Sequence, residues 1–332
     1  MRYVVYGLGI CFFSSMVLIR VAENFVTENL YLISSVWMGL MWNAFLAIFI
    51  VLIIKAFIPS LSLIYLRNIS VFLISLSLVY SVVGIYWAMY PLVKNVDVSI
   101  SNLPENWRDK KIIQLSDVHL GVIYDAGHFS KTVETVNDLN PDLILITGDL
   151  FDGMDGSMDT FLKPLSELKA KNGVYMITGN HEVYLGEKQT LDIVRRAGIR
   201  ILDNEIINID NLQLGGISYD LSQSERGKTG YVAGIIKDWQ GFDSSKASVV
   251  MYHVPSSIDE FSAAGVSLLL SGHTHRGQQF PFSFLTKLIF KGFDYGLNYS
   301  GNLAVYTSSG VGSWGPPLKN NQRSEIVVLK LK

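Results

Sequence analysis

Five short segments of the chain combine residues that bind metal ions or transfer protons. Histidine nitrogens and carboxylate oxygens together suit divalent transition metals better than calcium. The set offers two carboxylates, one amide oxygen and at least four imidazoles, which are too many ligands for one tetrahedral ion. Two metal ions that share a carboxylate fit this count. The segments are SDVHLG, TGDLFDG, TGNHEVY, MYHVP and SGHTHRG, and they contain Asp117, His119, Asp149, Asn180, His181, His253, His273 and His275.

Each of these segments follows an apolar run that is typical of a buried β-strand. In open α/β sheets, binding sites gather at the carboxyl ends of the strands. Five of the six histidines stand at such ends, and only His128 does not. The position of the segments therefore favours a common site. The runs are IIQLS (112–116), LILIT (143–147), VYMIT (174–178), SVVMY (248–252) and VSLLLS (266–271).

Taken singly, each segment also has a purely structural explanation. A histidine after a strand is more often a hydrogen-bonded core residue than a ligand, a Gly-Asp pair is typical of a turn, and Asn180 is typical of a helix cap. However, a glycine precedes Asp149, Asn180 and His273 and lets the backbone turn sharply and come close to a site. Five such segments in order favour the metal site over the separate structural explanations.

The remaining pattern in this part of the chain is that of an α/β domain. Helices are expected near 128–138, 158–170 and 188–197, between the first strands. The later apolar runs, which include LAVYTS (303–308) and EIVVLKL (325–331), come without helices between them. Alternating strands and helices that give way to consecutive strands predict an α/β architecture with stacked sheets.

The first part of the chain is apolar and nearly free of charge. Its first 94 residues contain seven charged side chains, whereas the whole chain has 27 lysines and arginines and 29 aspartates and glutamates. A helix needs about 20 apolar residues to cross the hydrocarbon core of a bilayer. Three uncharged runs predict transmembrane helices at about 3–20, 30–54 and 69–93. We therefore predict a transmembrane segment at 1–95 and a globular catalytic domain at 96–332.

The first of these runs has an alternative interpretation as a signal peptide. No small-residue cleavage site follows it, and Arg20 leads into a short loop and another apolar run, so a transmembrane helix is favoured. Orientation follows from the basic residues of the short loops. Arg2 precedes the first helix, and Lys55 and Arg67 flank the loop between the second and third. The amino terminus and that loop are therefore expected in the cytoplasm, and the globular domain is expected on the extracytoplasmic side of the cell membrane.

The ordered set Asp-x-His, Gly-Asp, Gly-Asn-His-Glu, a later His and Gly-His-x-His resembles the calcineurin-like metallophosphoesterases, and in particular their bacterial membrane-anchored branch. The resemblance covers residues 97–332, including the lead-in ISNLPENWRDKKIIQLSDVHLG and the tail TSSGVGSWGPPLKNNQRSEIVVLKL. It implies a four-layer α/β/β/α sandwich, in which two packed mixed sheets are flanked by helices. It also implies a membrane-anchored hydrolase of phosphate esters.

The resemblance assigns a role to each candidate residue. Asp149 would bridge two ions, and His181 would contact the phosphoryl group or protonate the leaving oxygen. The two divalent ions (Mn, Fe, Zn or Co) would lie about 3.5–4 Å apart and lower the pKa of a bridging water, whose hydroxide attacks phosphorus. Each ion would use three further ligands: Asp117, His119 and His275 for the first, and Asn180, His253 and His273 for the second.

The class of phosphate ester stays open at this point. A lipid or cell-envelope phosphate agrees with a membrane anchor, and the alternatives are a nucleotide phosphodiesterase or a catalytically inactive scaffold with the same fold. Inactive scaffolds usually lack some ligands, and none is missing here. A transporter or channel is disfavoured, because the apolar runs contain no charged residue. The formal net charge of −2 leaves no basic surplus for a nucleic-acid partner.

Five residues near the segments are given structural roles. Arg276 stands where this branch commonly has glycine, and a solvated arginine at the rim is favoured over a contact with a second phosphate or a headgroup. Glu182 is expected to support its loop. Asp152 and Asp155 are expected to make turns, and His128 opens a helix.

The aromatic segment 280–299, FPFSFLTKLIFKGFDYGLNY, follows the last candidate ligands. It is either a core-packing excursion or a lip that touches the bilayer and admits an acyl-bearing substrate. Under the second hypothesis, replacing Phe284 and Phe290 by serine should impair hydrolysis of a lipid phosphate far more than hydrolysis of a water-soluble ester.

Overall fold

Three long helices begin the chain in this computed structural model, which describes residues 2–153, 158–220 and 230–332. They are α1 (Arg2–Val21), α2 (Phe25–Phe57) and α3 (Leu63–Met89). Helices α2 and α3 are long and apolar enough to cross a membrane, with mean hydropathies of 2.3 and 2.1. Among the residues of α1 whose side chains the structure describes, Ile10–Val21 is also apolar but shorter than these two spans.

The ends of these helices have local causes. Asn24 caps α2, because its side-chain oxygen accepts hydrogen bonds from the backbone N–H groups of Val26 and Thr27. Helix α3 ends at Met89, before the predicted end at residue 93. Pro91 follows two residues later and disfavours the helical conformation of the residue before it, so the chain continues as a strand instead.

Twelve strands of the described chain form two six-stranded sheets. The first sheet contains β1 (Leu92–Val98), β2 (Lys111–Leu115), β3 (Leu143–Thr147), β4 (Val174–Ile177), β5 (Arg200–Ile201) and β12 (Glu325–Leu331). Its order is β1-β12-β2-β3-β4-β5, with β2 to β5 parallel and β12 antiparallel to β2. Strand β1 pairs in parallel with β12, so the chain enters this sheet directly from α3.

The second sheet contains β6 (Glu205–Ile209), β7 (Leu212–Ile217), β8 (Ser248–Tyr252), β9 (Leu268–Ser271), β10 (Gly296–Ser300) and β11 (Leu303–Thr307). Its order is β10-β11-β9-β8-β7-β6. Strands β7, β8, β9 and β11 are parallel, and β6 and β10 are antiparallel edge strands. All strands inferred from the sequence are present, but β1, β5, β6, β7 and β10 were not foreseen.

Helices cover the outer faces of both sheets. Those of the globular part are α4 (Ala126–Asp138), α5 (Leu162–Ser166), α6 (Asn180–Leu185), α7 (Glu187–Arg196), α8 (Tyr231–Asp238), α9 (Ile258–Ala264) and α10 (Phe282–Ile289). Apolar residues of α4, α5 and α7 pack on the first sheet, and those of α8 and α9 pack on the second.

The inner faces of the two sheets pack on each other. Strand β3 shows how one apolar run serves two layers, since successive side chains of a strand point to opposite faces. Leu143 and Leu145 lie in the core between the sheets, whereas Ile144 and Ile146 lie in the core beneath α4 and α7. The predicted four-layer α/β/β/α sandwich with an apolar helical segment before it is therefore confirmed.

The helical segment packs directly on the sandwich. Leu318 inserts between α2 and α3, where a Cβ added at Gly39 or at Gly84 would lie 3.0 Å from its side chain. Nearer the amino terminus, Tyr31 of α2 packs in one apolar cluster with Tyr124. The predicted boundary after residue 95 falls within β1 (Leu92–Val98), and the division into two domains stays a prediction.

Candidate metal centre

The structure brings all eight candidate residues to one edge of the two sheets. Each follows the carboxyl end of β2, β3, β4, β8 or β9, in a loop or in the first turn of α6, and these ends meet because the strands within each sheet run parallel. The residues are Asp117, His119, Asp149, Asn180, His181, His253, His273 and His275. His128 lies apart on α4, with its ring against Tyr124.

Five of these residues have left-handed backbone conformations: Asp117, His119, Asp149, His273 and His275, with φ between 48° and 68°. This region is sparsely populated by residues other than glycine and costs on the order of 1–3 kcal/mol per residue. Such strain persists only where the surrounding structure enforces it, and it concentrates at functional sites. The backbone thus marks the same residues that the sequence pattern selects.

Glycines allow the loops to approach one another closely. Gly148 has a φ of +91°, and a Cβ there would lie 2.6 Å from Nδ1 of His253. A Cβ at Gly272 would overlap Asp117, and one at Gly179 would overlap Asp149. The glycine that precedes three of the candidate ligands is therefore required by close packing around the site.

One group of possible ligands consists of Asp117, His119 and His275, whose side-chain atoms lie within 4.8 Å of one another. The Nε2 atoms of the two histidines are 3.1 Å apart. Oδ1 of Asp117 is 3.4 Å from Nε2 of His275. Three donor atoms thus point to a common position.

A second group consists of Asp149, His253 and His273. Nε2 of His253 lies 3.1 Å from Oδ2 of Asp149. The amide oxygen of Asn180 joins the group at 2.9 Å from Nδ1 of His273. The structure places Asp149 in this group, and its predicted bridging role stays a prediction.

Unpartnered buried atoms test whether these residues fit metal ions. In the described part of the chain, Nδ1 of His119, Nε2 of His253 and Nδ1 of His275 are buried without a hydrogen-bond partner. Such atoms are rare in native structures, where buried polar groups are nearly always satisfied. Nε2 of His253 lies 3.1 Å from Oδ2 of Asp149 without the geometry of a hydrogen bond, and a cation held by the second group would satisfy it. The donor set of imidazoles, carboxylates and one amide oxygen also suits divalent transition metals.

Burial keeps three of the histidines in the form that binds metal. It holds the pKa of His119 and that of His275 well below the ordinary value and lowers the pKa of His273 to about 4. At neutral pH these imidazoles are therefore uncharged, and each keeps a lone pair. Metal binding requires this neutral form.

Asp149 and His253 form a charged pair at the centre of the site. Burial alone would lower the pKa of His253, but the carboxylates of Asp149 and Asp117 raise it to about 10. Burial likewise opposes ionisation of Asp149, yet the positive charge of His253 holds the pKa of Asp149 well below its usual range. The proton on His253 thus supplies a positive charge that a bound cation would replace.

His181 is held in a defined orientation. Its backbone N–H donates to Oδ1 of Asp149 at 2.9 Å, and its Nδ1 lies 2.8 Å from the carbonyl oxygen of Asp152. Because a carbonyl only accepts, Nδ1 carries a proton in this hydrogen bond. Nε2 is then left for proton exchange in the pocket that His181 lines.

Glu182 organises the loop around Asp149 and is fully buried. Its carboxylate accepts hydrogen bonds from the backbone N–H groups of Gly179, Asp149, Leu150 and Phe151, at 2.7 to 3.2 Å. These contacts account for its expected role as a support of the loop.

Asp152 is more closely tied to the site than the sequence indicated. It is buried, and Oδ1 lies 3.6 Å from Nδ1 of His119. Burial raises the pKa of this carboxyl to about 6. Carboxylates behind histidine ligands commonly fix ring orientation. The expectation that Asp152 makes a turn does not explain why its side chain is buried. In the sequence, only its position three residues after Asp149, in GDLFDG, could have indicated a role at the site. Asp155 lies outside the described residues.

Lys319 is a second residue that sequence reasoning missed. Its side chain is fully buried, and Nζ donates to the carbonyls of Ser309 and Gly310 at 2.6 and 3.2 Å. Burial lowers its pKa to about 7. A Cβ on Gly310 would lie 2.8 Å from Cβ of Asp117, so Lys319 supports a loop that packs on a candidate ligand.

The side chain of Arg276 is half-buried and held by two contacts, which differs from the solvated arginine expected at the rim. Its guanidinium donates to Oε1 of Gln322 at 2.7 Å and lies 4.6 Å from the ring centroid of Tyr295. It is absent from the lining of the pocket over the metal groups. These contacts give Arg276 a structural role.

The candidate ligands open into a pocket of about 730 Å³. His119, Asp149 and His273 line it together with His181, so a phosphate ester inside would contact both metal groups and the candidate acid. The family model for calcineurin-like phosphoesterases matches residues 110–277, which include all eight candidates. The chain belongs to this family.

Curated relatives agree with this assignment. An uncharacterized metallophosphoesterase of Campylobacter jejuni is 37% identical over 244 residues, which cover 73% of this chain and 63% of that protein. One of Helicobacter pylori is 34% identical, over 76% of this chain and 68% of that protein. A Danio rerio protein named transmembrane protein with metallophosphoesterase domain is 31% identical, over 74% of this chain and 58% of that protein. The chain thus matches about three-fifths to two-thirds of their length.

Proposed function

We propose that this metallophosphoesterase is a membrane-anchored hydrolase of phosphate esters that works with two divalent metal ions. The observation that supports this most strongly is the convergence of two groups of ligand atoms at one pocket, where an imidazole nitrogen of the second group is buried without a hydrogen bond. Separate ligand sets at neighbouring positions are what a two-metal phosphoryl-transfer site requires.

The two ions are assigned to the two groups. Bound divalent ions supply the Lewis acidity that activates water and withdraws charge from the phosphoryl oxygens. Asp149 contributes to both positions, and Glu182 and Asp152 hold the ligand loops in place. The remaining ligands are Asp117, His119 and His275 at one position, and Asn180, His253 and His273 at the other.

His181 is assigned the role of an acid that acts on the leaving group. Its Nδ1–H is occupied by the carbonyl of Asp152, so the ring presents Nε2 to the pocket. From there it donates a proton to the departing oxygen, or hydrogen-bonds the phosphoryl group. General acid catalysis of this kind contributes roughly 10²- to 10⁴-fold.

Removal of metal should abolish activity. The full chain, solubilised in detergent, is stripped with a chelator and assayed on p-nitrophenyl phosphate, bis-p-nitrophenyl phosphate and a phosphatidyl lipid. We expect no turnover after stripping, and recovery on addition of Mn²⁺, with about two ions bound per chain. The preferred ester then defines the reaction class. Full activity in the stripped protein would contradict the proposal, and absence of both metal binding and turnover would favour an inactive scaffold.

The helical segment is proposed to anchor the enzyme by three crossings, with the catalytic domain on the extracytoplasmic side. Two features support an anchor: helices α2 and α3 have the length and hydropathy of membrane spans, and a relative carries the word transmembrane in its name. The basic residues Lys55 and Arg67 around the loop between them support the orientation.

The substrate is proposed to be a lipid or cell-envelope phosphate. Helix α10 supports this, because the structure describes no buried residue in it. Phe284 and Leu288 are 68% and 78% exposed. The ring of Phe282 stacks on Trp42 of α2 at 5.0 Å, so this apolar surface continues that of a proposed membrane helix. Exposed apolar patches next to polar sites commonly contact lipid.

Serine substitutions on α10 should separate lipid from soluble substrates. Because an apolar side chain gains about 1.5–3 kcal/mol on leaving water, Phe284→Ser with Leu288→Ser should lower kcat/KM for a vesicle-borne lipid phosphate roughly tenfold or more. Hydrolysis of p-nitrophenyl phosphate should change less than about twofold. Phe290 is unsuitable for this test, since its ring lies 6.2 Å from that of His273.

The matched control is Tyr299→Ser, which removes an exposed aromatic side chain from β10. It should leave both activities as they are. Equal losses on the two substrates in the α10 variant would remove the case for a lipid-facing role of this helix.

A further inference from the structure

Helices α1 and α2 form part of the wall of the catalytic pocket. Met16 and Arg20 of α1 and Tyr31 of α2 line it together with the candidate ligands. No sequence motif indicated this, since these residues precede the metallophosphoesterase match by about 80 residues or more. The helices therefore contribute more than attachment, because a bound substrate would touch them.

Tyr31 fixes this wall beside the first metal group. Its side chain is 1% exposed, and its hydroxyl lies beside the carboxyl group of Asp152. Asp152 in turn lies 3.6 Å from Nδ1 of His119. Helix α2 is thus connected through two side chains to a candidate metal ligand.

Arg20 brings a positive charge into the pocket. It stands in the last turn of α1 and is exposed. Within residues 2–153, 158–220 and 230–332 it forms no ion pair shorter than 4.0 Å, although its charge acts on the carboxyl group of Asp152, which lines the same pocket. A cation at the end of a helix is favoured by the helix dipole and by contact with water. The helix dipole and contact with water would favour an arginine at this helix end in any orientation. They do not explain why the Arg20 side chain lines the pocket.

The surface of α1 next to Arg20 is apolar. Met16 lies one helical turn before it in the pocket, and Phe13 and Val17 are 61% and 62% exposed on the adjoining face. Leu185 and Trp314 add further apolar lining. A ligand that extends from the metal groups along α1 therefore meets both a cation and hydrocarbon.

We propose that Arg20 is an anion-binding residue of the substrate site, and that it holds a second phosphate, adjacent to the scissile one, on a lipid whose hydrocarbon lies along α1. Guanidinium groups bind phosphate oxygens in pairs, which gives both affinity and orientation. This inference rests on the proposed phosphoesterase function and specifies the substrate class of that site.

The test compares two lipids with the same acyl chains, diacylglycerol diphosphate and phosphatidic acid, on the full chain in detergent micelles with Mn²⁺. The ratio of kcat/KM for the diphosphate to that for the monophosphate should fall about tenfold or more in Arg20→Ala, because this substitution removes a charge-assisted pair of hydrogen bonds. Arg20→Lys should restore part of the ratio. The matched control Arg67→Ala, an exposed arginine near the start of α3, should keep it.

Three results would overturn the inference: an unchanged ratio in Arg20→Ala, an equal fall in Arg67→Ala, or hydrolysis of aryl esters with neither lipid accepted. Each leaves the proposed phosphoesterase function standing. That function is judged separately in the same assay by an Asp149→Ala variant. If this variant retains turnover, the proposed function itself fails.

Discussion

Replacing Asp149 by alanine should lower metal-dependent phosphoesterase turnover by roughly three orders of magnitude, which corresponds to about 4 kcal/mol of lost transition-state stabilisation. The expectation follows from the position of the side chain. Oδ2 lies 3.1 Å from Nε2 of His253, and Oδ1 accepts the backbone N–H of His181. Loss of the carboxylate removes a candidate metal ligand and also frees the segment that carries the candidate acid.

Metal content and turnover should both be measured for this variant. We expect the number of bound ions per chain to fall below two, with the thermal unfolding transition still cooperative. Asp138→Ala, which removes an exposed carboxylate at the end of α4, is the matched control and should keep full activity and both ions. An Asp149→Ala protein that binds two ions and turns over normally would exclude a central role for Asp149.

Replacing His181 by asparagine should separate chemistry from metal binding. Because Nδ1 is committed to the carbonyl of Asp152, the function assigned to His181 depends on Nε2, which asparagine does not reproduce. We expect kcat to fall roughly 10²- to 10³-fold for an alkyl phosphate ester, whose leaving oxygen needs a proton. The loss should be much smaller for p-nitrophenyl phosphate, whose phenolate leaves unprotonated.

The number of bound ions should remain the same in the His181→Asn protein. His128→Asn, a histidine on α4 outside the site, is the control and should leave kcat for both esters unchanged. His119, Asp152 and His181 form a third group of side chains whose atoms could hold a metal ion. If the His181 variant loses metal, His181 is a ligand, and this third group is one of the metal sites.

The sequence was sufficient for the family, the layers and the position of the candidate residues. Polar side chains after continuous apolar runs place a site at strand ends, and a run such as LILIT is apolar throughout because β3 is covered on both faces. Strands β6, β7 and β10 were missed for the opposite reason. Their apolar residues are mixed with asparagine, glutamine and glycine, as in QLGG within Leu212–Ile217, so no clear run marks them.

The residues that complete the pocket could not be predicted in this way. Asp152 and Lys319 acquire their roles from burial, which local sequence does not reveal for a charged residue. Arg20 and Tyr31 belong to apolar helices whose composition indicates only a membrane segment. Their placement over the ligands depends on tertiary packing, in particular on Leu318 between Gly39 and Gly84.

That packing determines what proteolysis could release. A protease that cut after α3 would separate the helices from the two sheets but would leave Leu318 and Tyr124 facing water. The backbone N–H of the adjacent Lys319 would also lose its partner, the carbonyl of Gly84. The shed fragment would thus lose the contact that steadies the loop beside Asp117. We therefore expect the part of the chain after α3, released without the helices, to be less stable than the whole chain.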